Sequence, residues 1–169
     1  MQDLWKIFKN SLQLPKRQAA FSLNRIGMDK VILFLFILIA FASLPELIIQ
    51  LGANKASSSL HMQAFFYLIF FFMFYYLIFI SVIFAIISLV AYIATWVAYG
   101  ASRKLRYSIL WKTAACASTI PLLVFTISSF FYTITLFFFF ILLVFHFIIF
   151  IQTIFLYPKR NLKRSKRSK

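Results

Sequence analysis

Few residues in this chain could do chemistry, and each stands among apolar neighbours. Glu46 is the only acidic residue inside an apolar run, directly after Pro45. Carboxylates at membrane depth are costly and often functional. Near the outer end of its run, Glu46 reads first as a side chain that snorkels or caps backbone amides beside the proline. His146, between Phe145 and Phe147, sits near the middle of the last apolar run. It reads as a neutral histidine bonded to a Ser or Thr of a neighbouring helix. A proton relay would need a partner, and Glu46 should lie about two helical turns farther out, beyond direct contact. Metal binding needs three or four converging ligands. Two histidines, one cysteine and three acids scattered over 169 residues do not supply them. Cys116 alone forms no internal disulfide and reads as a small apolar residue. No HExxH, GxSxG, Walker motif or paired intramembrane aspartate occurs. We expect no catalytic, cofactor-binding or metal residues and no enzyme, with Glu46 and His146 as the candidate intramembrane polar sites.

The elements that hold these residues are set by composition. The chain is 63% hydrophobic and 12% charged, with mean hydropathy +0.93; soluble domains run at about 45–50% and about 25%. That excess marks a polytopic membrane protein. With 24 Phe against 3 Gly, close helix contact through glycine is not expected, and bulky aromatic interdigitation is.

A net charge of +15 could suggest nucleic acid, but its placement argues otherwise. Six cations precede the first apolar run, four lie in the stretch Arg103 to Lys112, seven lie in Lys159 to Lys169, and only Lys55 stands apart. The tail carries no aromatic or polar base readers. Cations flanking spans instead report orientation and attraction to anionic headgroups. Lys159, Arg160, Lys163, Arg164, Lys166 and Arg167 are therefore expected to touch lipid headgroups.

Taken in order, residues 1–30 read as a cytoplasmic basic segment. Leu4, Trp5, Phe8 and Leu12 recur at helical spacing, so Met1 to Leu12 is expected to form an amphipathic helix in the headgroup layer, ending near Pro15. Residues 31–157 read as the membrane domain. Val31 to Leu51 is long enough for a core of about 30 Å, and Gly52 to Gln63 is a short polar link. Met62 to Tyr99 would measure about 57 Å as one helix, yet it contains no Gly or Pro to turn a hairpin. A hairpin would also put connector and tail opposite the amino terminus. One long helix keeps 17 of the 18 cations on one side, as the positive-inside rule requires. Tyr92, Trp96, Tyr99, Tyr107 and Trp111 then mark the inner interface. Ser128-Ser129 with Thr133 offers the turn between the last spans, roughly Trp111 to Ser128 and Tyr132 to Tyr157. Pro158 stops the last helix before a basic tail, residues 158–169. The expected fold is an all-α membrane protein, a bundle of four transmembrane helices with an unusually long second helix and both termini cytoplasmic.

Pro45 and Pro121 each follow hydroxyl residues, Ser43 and Ser118-Thr119. Proline frees a carbonyl one turn earlier, which in lipid must find another partner. Bends facing protein, rather than a substrate site, are expected at both.

Lys9-Asn10-Ser11-Leu12, Leu14-Pro15-Lys16, Ala20-Phe21, Ile26-Gly27, Leu44-Pro45, then Tyr107, Leu110-Trp111-Lys112 and Ala117-Ser118-Thr119-Ile120-Pro121 together resemble the Gram-positive bacterial membrane proteins of domain of unknown function 1189. Some members are labelled maltodextrin-utilisation proteins. The resemblance covers residues 6 to 51 and 103 to 126 best. It implies a multi-pass plasma-membrane protein and brings no catalytic residues. Members typically carry a sizeable extracytoplasmic segment after the first span, where this chain has only Gly52 to Gln63. A non-enzymatic accessory or assembly subunit of a membrane complex such as a transporter is the expected function. A transporter or channel component acting as an oligomer, using Ser43, Glu46, Ser118, Thr119 and His146, is the alternative.

Overall fold

The structure is a computed structural model that describes residues 2–53, 60–103, 105–132 and 135–158. Among them all regular structure is helical. Short helices α1 (Gln2–Leu12) and α2 (Arg17–Asn24) precede α3 (Met28–Ala53). One continuous rod follows: α4 (Leu60–Phe70), a π-helical segment (Phe71–Tyr76) and α5 (Leu77–Gly100). Then come α6 (Tyr107–Ala117), α7 (Thr119–Phe131) and α8 (Leu136–Phe155). Four stretches are long and apolar enough to cross a bilayer: Met28–Gly52, Phe65–Gly100, Tyr107–Phe131 and Leu136–Phe155.

The second stretch is one helix, as the missing breakers require. Its 36 residues extend about 54 Å, well beyond a hydrocarbon core of about 30 Å. The π segment coincides with Phe71-Phe72-Met73-Phe74-Tyr75-Tyr76, where crowded rings stack along the axis, Phe71 on Tyr75 at 4.8 Å. The Tyr76 hydroxyl donates to the Phe36 carbonyl at 3.0 Å and ties the rod to α3.

Packing between helices meets the aromatic expectation only in part: Phe36 of α3 pairs with Phe84 of α5 at 5.5 Å, Phe84 with Trp111 of α6 at 5.7 Å and Phe79 with Phe125 of α7 at 6.1 Å. Among the described residues only Phe34, Phe71 and Phe150 of the phenylalanines are buried, whereas Ala91, Ala94 and Ala98 of α5 and Ala114, Ala115 and Ala117 of α6 are. Alanine does what glycine does elsewhere: a small side chain lets two backbones approach. Most rings point outward, where bulk costs nothing in lipid. α6 and α7 touch α3, α5 and α8, so the third span is the centre of the bundle.

Three boundaries also move. The third span starts at Tyr107, not Trp111, so the true connector is residues 101–106. There Ser102 adopts φ 54°, the Ser102 amide donates to Tyr99 O and the Arg103 amide to Ala98 O, a paired cap that usually uses glycine. Ser128 and Ser129 do not turn the chain. They stay in α7, where Ser129 Oγ bonds the Phe125 carbonyl, which lets a serine sit in an apolar helix. α8 starts at Leu136 rather than Tyr132. Trp111, expected at the interface, is 5% exposed and donates Nε1–H to Ser88 Oγ at 3.2 Å, while Tyr92, Trp96 and Tyr99 remain exposed.

The basic end of the bundle is closed by α1 and α2. α1 is amphipathic, but its buried stripe, Ile7 and Ser11, faces protein, packed on α2, α3, α6 and α7. Asn10 Nδ2 donates to Ser22 Oγ at 3.0 Å. The Tyr157 ring lies 5.3 Å from Phe21, joining α2 to the end of α8. These residues share one apolar core with the spans.

Candidate functional site

Pro121 has no amide hydrogen, so the Ala117 carbonyl, four residues earlier, loses its helical partner. The helix breaks there: Ser118 has ψ −10° and separates α6 from α7. Ser118 Oγ turns back to the Ala115 carbonyl at 2.7 Å. His146 of α8 lines the same cavity as Ser118 and Pro121 at the break, and neither of its ring nitrogens completes a hydrogen bond. His146 is 6% exposed and its ring stacks on Phe150 at 6.2 Å. No Ser or Thr takes its proton, contrary to the simple structural expectation, and Thr119 Oγ1 beside the break is likewise buried without a partner. A cavity of about 80 Å³ opens next to them, lined by Ser118, Pro121, His146 and, otherwise, apolar side chains such as Phe79 and Phe125.

Glu46 lies farther along α3 and does not meet His146. Its Oε1 accepts from Gln50 Nε2 at 2.9 Å, one turn on. It borders a wider groove of about 530 Å³ with Tyr75, Ser129 and Tyr132. α3 runs on through Pro45 without interruption, and Ser43 Oγ bonds the Ala40 carbonyl at 2.8 Å, not the Phe41 carbonyl that Pro45 leaves free. Both prolines are buried, so the break before Pro121 faces protein, whereas α3 shows no break at Pro45. Among the described residues no three His, Cys, Asp or Glu gather as a metal site requires.

The basic stretches have a role that charge counting did not reveal. Lys112 Nζ donates to Asn24 O and Ile26 O, each at 2.9 Å. Arg103 Nη1 donates to Ile154 O at 3.0 Å, and its guanidinium lies over Phe155 at 5.3 Å. Both cations thus satisfy carbonyls at helix carboxyl ends, where they also complement the helix dipole. In the sequence both stand in one cluster of cations between apolar runs, which does not say which carbonyls they meet. Lys30 Nζ meets Asp3 Oδ2 at 2.6 Å. The Lys30 ammonium holds the Asp3 carboxyl below the usual carboxylate range. That contribution is present above about pH 4, is lost as pH falls through the lowered value, and is screened because both groups are exposed. The headgroup candidates Lys159, Arg160, Lys163, Arg164, Lys166 and Arg167 lie outside the described residues, as do Lys55 and Thr133.

Residues 49–155 match the family model described as Protein of unknown function (DUF1189). The chain belongs to this family. The matched DUF1189 region takes in the rod, the α6–α7 break and His146. It leaves out α1, α2 and the Leu14-Pro15-Lys16 stretch. No curated protein and no solved structure matches the chain.

Proposed function

We propose that this DUF1189 protein is a non-enzymatic accessory or assembly subunit of a plasma-membrane complex such as a transporter, with both termini and the 101–106 connector in the cytoplasm. The observation that carries this is the first half of the rod. Phe65, Phe66, Phe70, Phe72, Met73 and Phe74 are all more than half exposed, on a helix longer than its neighbours. Their rings already stack within the helix, Phe70 on Phe74 at 5.8 Å, so a partner helix would meet side chains whose freedom is already restricted. Purification from native membranes under mild detergent tests the proposal. A stoichiometric membrane partner supports it; a lone protein that conducts solute in liposomes does not.

A second reading, a transporter or channel component acting as an oligomer, has one observation in its favour. Phe125 lines both the Glu46 groove and the His146 cavity, so movement of one ring would join them. Solute flux that rises in Phe125→Ala would favour this reading.

A further inference from the structure

Glu46 stands apart from the cations that the structure describes. Those gather at the basic end, and Glu46 lies about 24 Å beyond Lys30 along the continuous helix α3. Its groove of about 530 Å³ falls within the range of small-molecule sites, about 300–1,000 Å³. Ala42, Glu46 and Ile49 line it from one face of α3, and Phe125, Ser129 and Tyr132 from one face of α7, both sets at helical spacing. Tyr75 of the π-helical segment supplies the third side. Among the described residues no Lys or Arg lines it, so the groove has the sign opposite to that of the chain. Three sources of negative potential meet there. The Glu46 carboxylate is exposed, and among the described residues only Gln50 bonds it. α7 ends at Phe131, and the last carbonyls of a helix carry partial negative charge. Ring faces are the third source, because they attract cations. Tyr75 is stacked between Phe71 at 4.8 Å and Phe79 at 5.9 Å, so it offers only its edge and hydroxyl. Phe131 and Tyr132 are exposed, and their faces are open to a ligand.

A carboxylate, the carboxyl end of a helix and open ring faces around one groove suit an organic cation. We propose that α3, α7 and the π-helical segment form a binding site for one small organic ammonium ion, its charge beside Glu46 and its alkyl groups against Phe131 and Tyr132. Metal cations match the groove less well. They need several converging oxygen ligands, and among the described residues no three His, Cys, Asp or Glu gather anywhere. They would also leave the apolar wall of Ala42, Ile49 and Phe130 unused. The ammonium group can belong to a soluble amine or to a phospholipid headgroup, and both present the same chemistry. The site stands whether or not the chain joins a larger complex, because none of the rod residues assigned above to a partner helix lines it.

The full chain is purified in dodecyl maltoside, which carries neither charge nor ammonium, and binding of radiolabelled choline is read by equilibrium dialysis. Saturable binding of one choline per chain is expected. The uncharged isostere of choline, with carbon in place of nitrogen, should displace it only at concentrations on the order of tenfold higher. Glu46→Gln should lower choline affinity on the order of tenfold, and Phe131→Leu/Tyr132→Leu severalfold. Asp3→Asn, which removes the same charge at the basic end, should leave it unchanged. Lys55→Gln should bind choline no more weakly than the wild type, because a nearby cation competes for Glu46. Choline should also raise the unfolding temperature of the wild type and not that of Glu46→Gln, a gain that misfolding cannot produce. Displacement of choline by phosphatidylcholine added to the micelles would assign the ammonium to a lipid headgroup, and its failure to displace would assign it to a soluble amine. No saturable choline binding, displacement by the uncharged isostere at equal concentration, or an affinity unchanged in Glu46→Gln or in the double variant would overturn the assignment.

Discussion

Lys112 reaches across the bundle from α6 to hold the Asn24 carbonyl at 2.9 Å. With the same ammonium on Ile26 O, one side chain of the third span ends α2 and fixes the α1–α2 pair beneath the spans. Lys112→Met keeps the stem and removes the charge. Charge-assisted bonds contribute about 1.5–3 kcal/mol, so thermal unfolding in detergent should show a loss of that order. Protease cleavage between residues 13 and 27 should quicken at the same time. An unchanged melting temperature would mean that the α1–α2 pair is held by its apolar contacts alone.

Ser102 predicts a change of the opposite sign. It holds a left-handed conformation at the end of α5, which costs a side chain about 1–2 kcal/mol and glycine almost nothing. Ser102→Gly is expected to stabilise the protein by about 0.5–1 kcal/mol, less than the full relief because glycine adds freedom to the unfolded chain.

The His146 neighbourhood tests whether its polarity is structural. Both ring nitrogens are buried without a partner, and a buried unsatisfied group costs about 1–3 kcal/mol. His146→Phe keeps the stacking on Phe150 and uses the adjacent space of about 80 Å³. Equal or raised stability with unchanged partner association marks a residue without a chemical task. Loss of a transported solute in a folded variant marks a functional one.

The two prolines should differ. Pro121→Ala restores an amide for the Ala117 carbonyl and should join α6 to α7, lengthening the distance between spin labels at Tyr107 and Phe131 by several Å toward the straight-helix value of about 36 Å. Pro45→Ala should move labels at either end of α3 less, since α3 is already continuous.

Length and composition made the four spans readable, because a long apolar run without a sheet to join has no stable form in lipid but a helix. The absence of any breaker in Met62 to Tyr99, together with the placement of 17 of the 18 cations on one side, was enough to read one rod instead of a hairpin. The helix contacts were not readable. Abundant phenylalanine pointed to rings between helices, and Phe36, Phe79 and Phe84 do pair across them, but lipid accepts rings as readily as protein does, so most face outward and Ala91, Ala94, Ala114 and Ala115 lie where backbones meet. Serines misled at Ser128-Ser129, since a hydroxyl bonded to its own helix is not a breaker. Arg103 and Lys112 read as topology markers, and only the fold shows which carbonyls they end. Glu46 and His146 were found by type alone, and the structure places them at separate cavities that share Phe125.

The exposed aromatic half of the rod is the centre of this account, and one comparison tests it directly. Wild-type protein and Phe66→Ala/Phe70→Ala/Phe74→Ala are purified from native membranes, and the stoichiometry of any co-purifying membrane protein is measured against an unchanged thermal transition of the four-span bundle. We predict a stoichiometric partner with the wild type and its loss in the triple variant, with the fold intact. A partner retained in full by the triple variant, or a wild-type protein that purifies alone, would contradict the account.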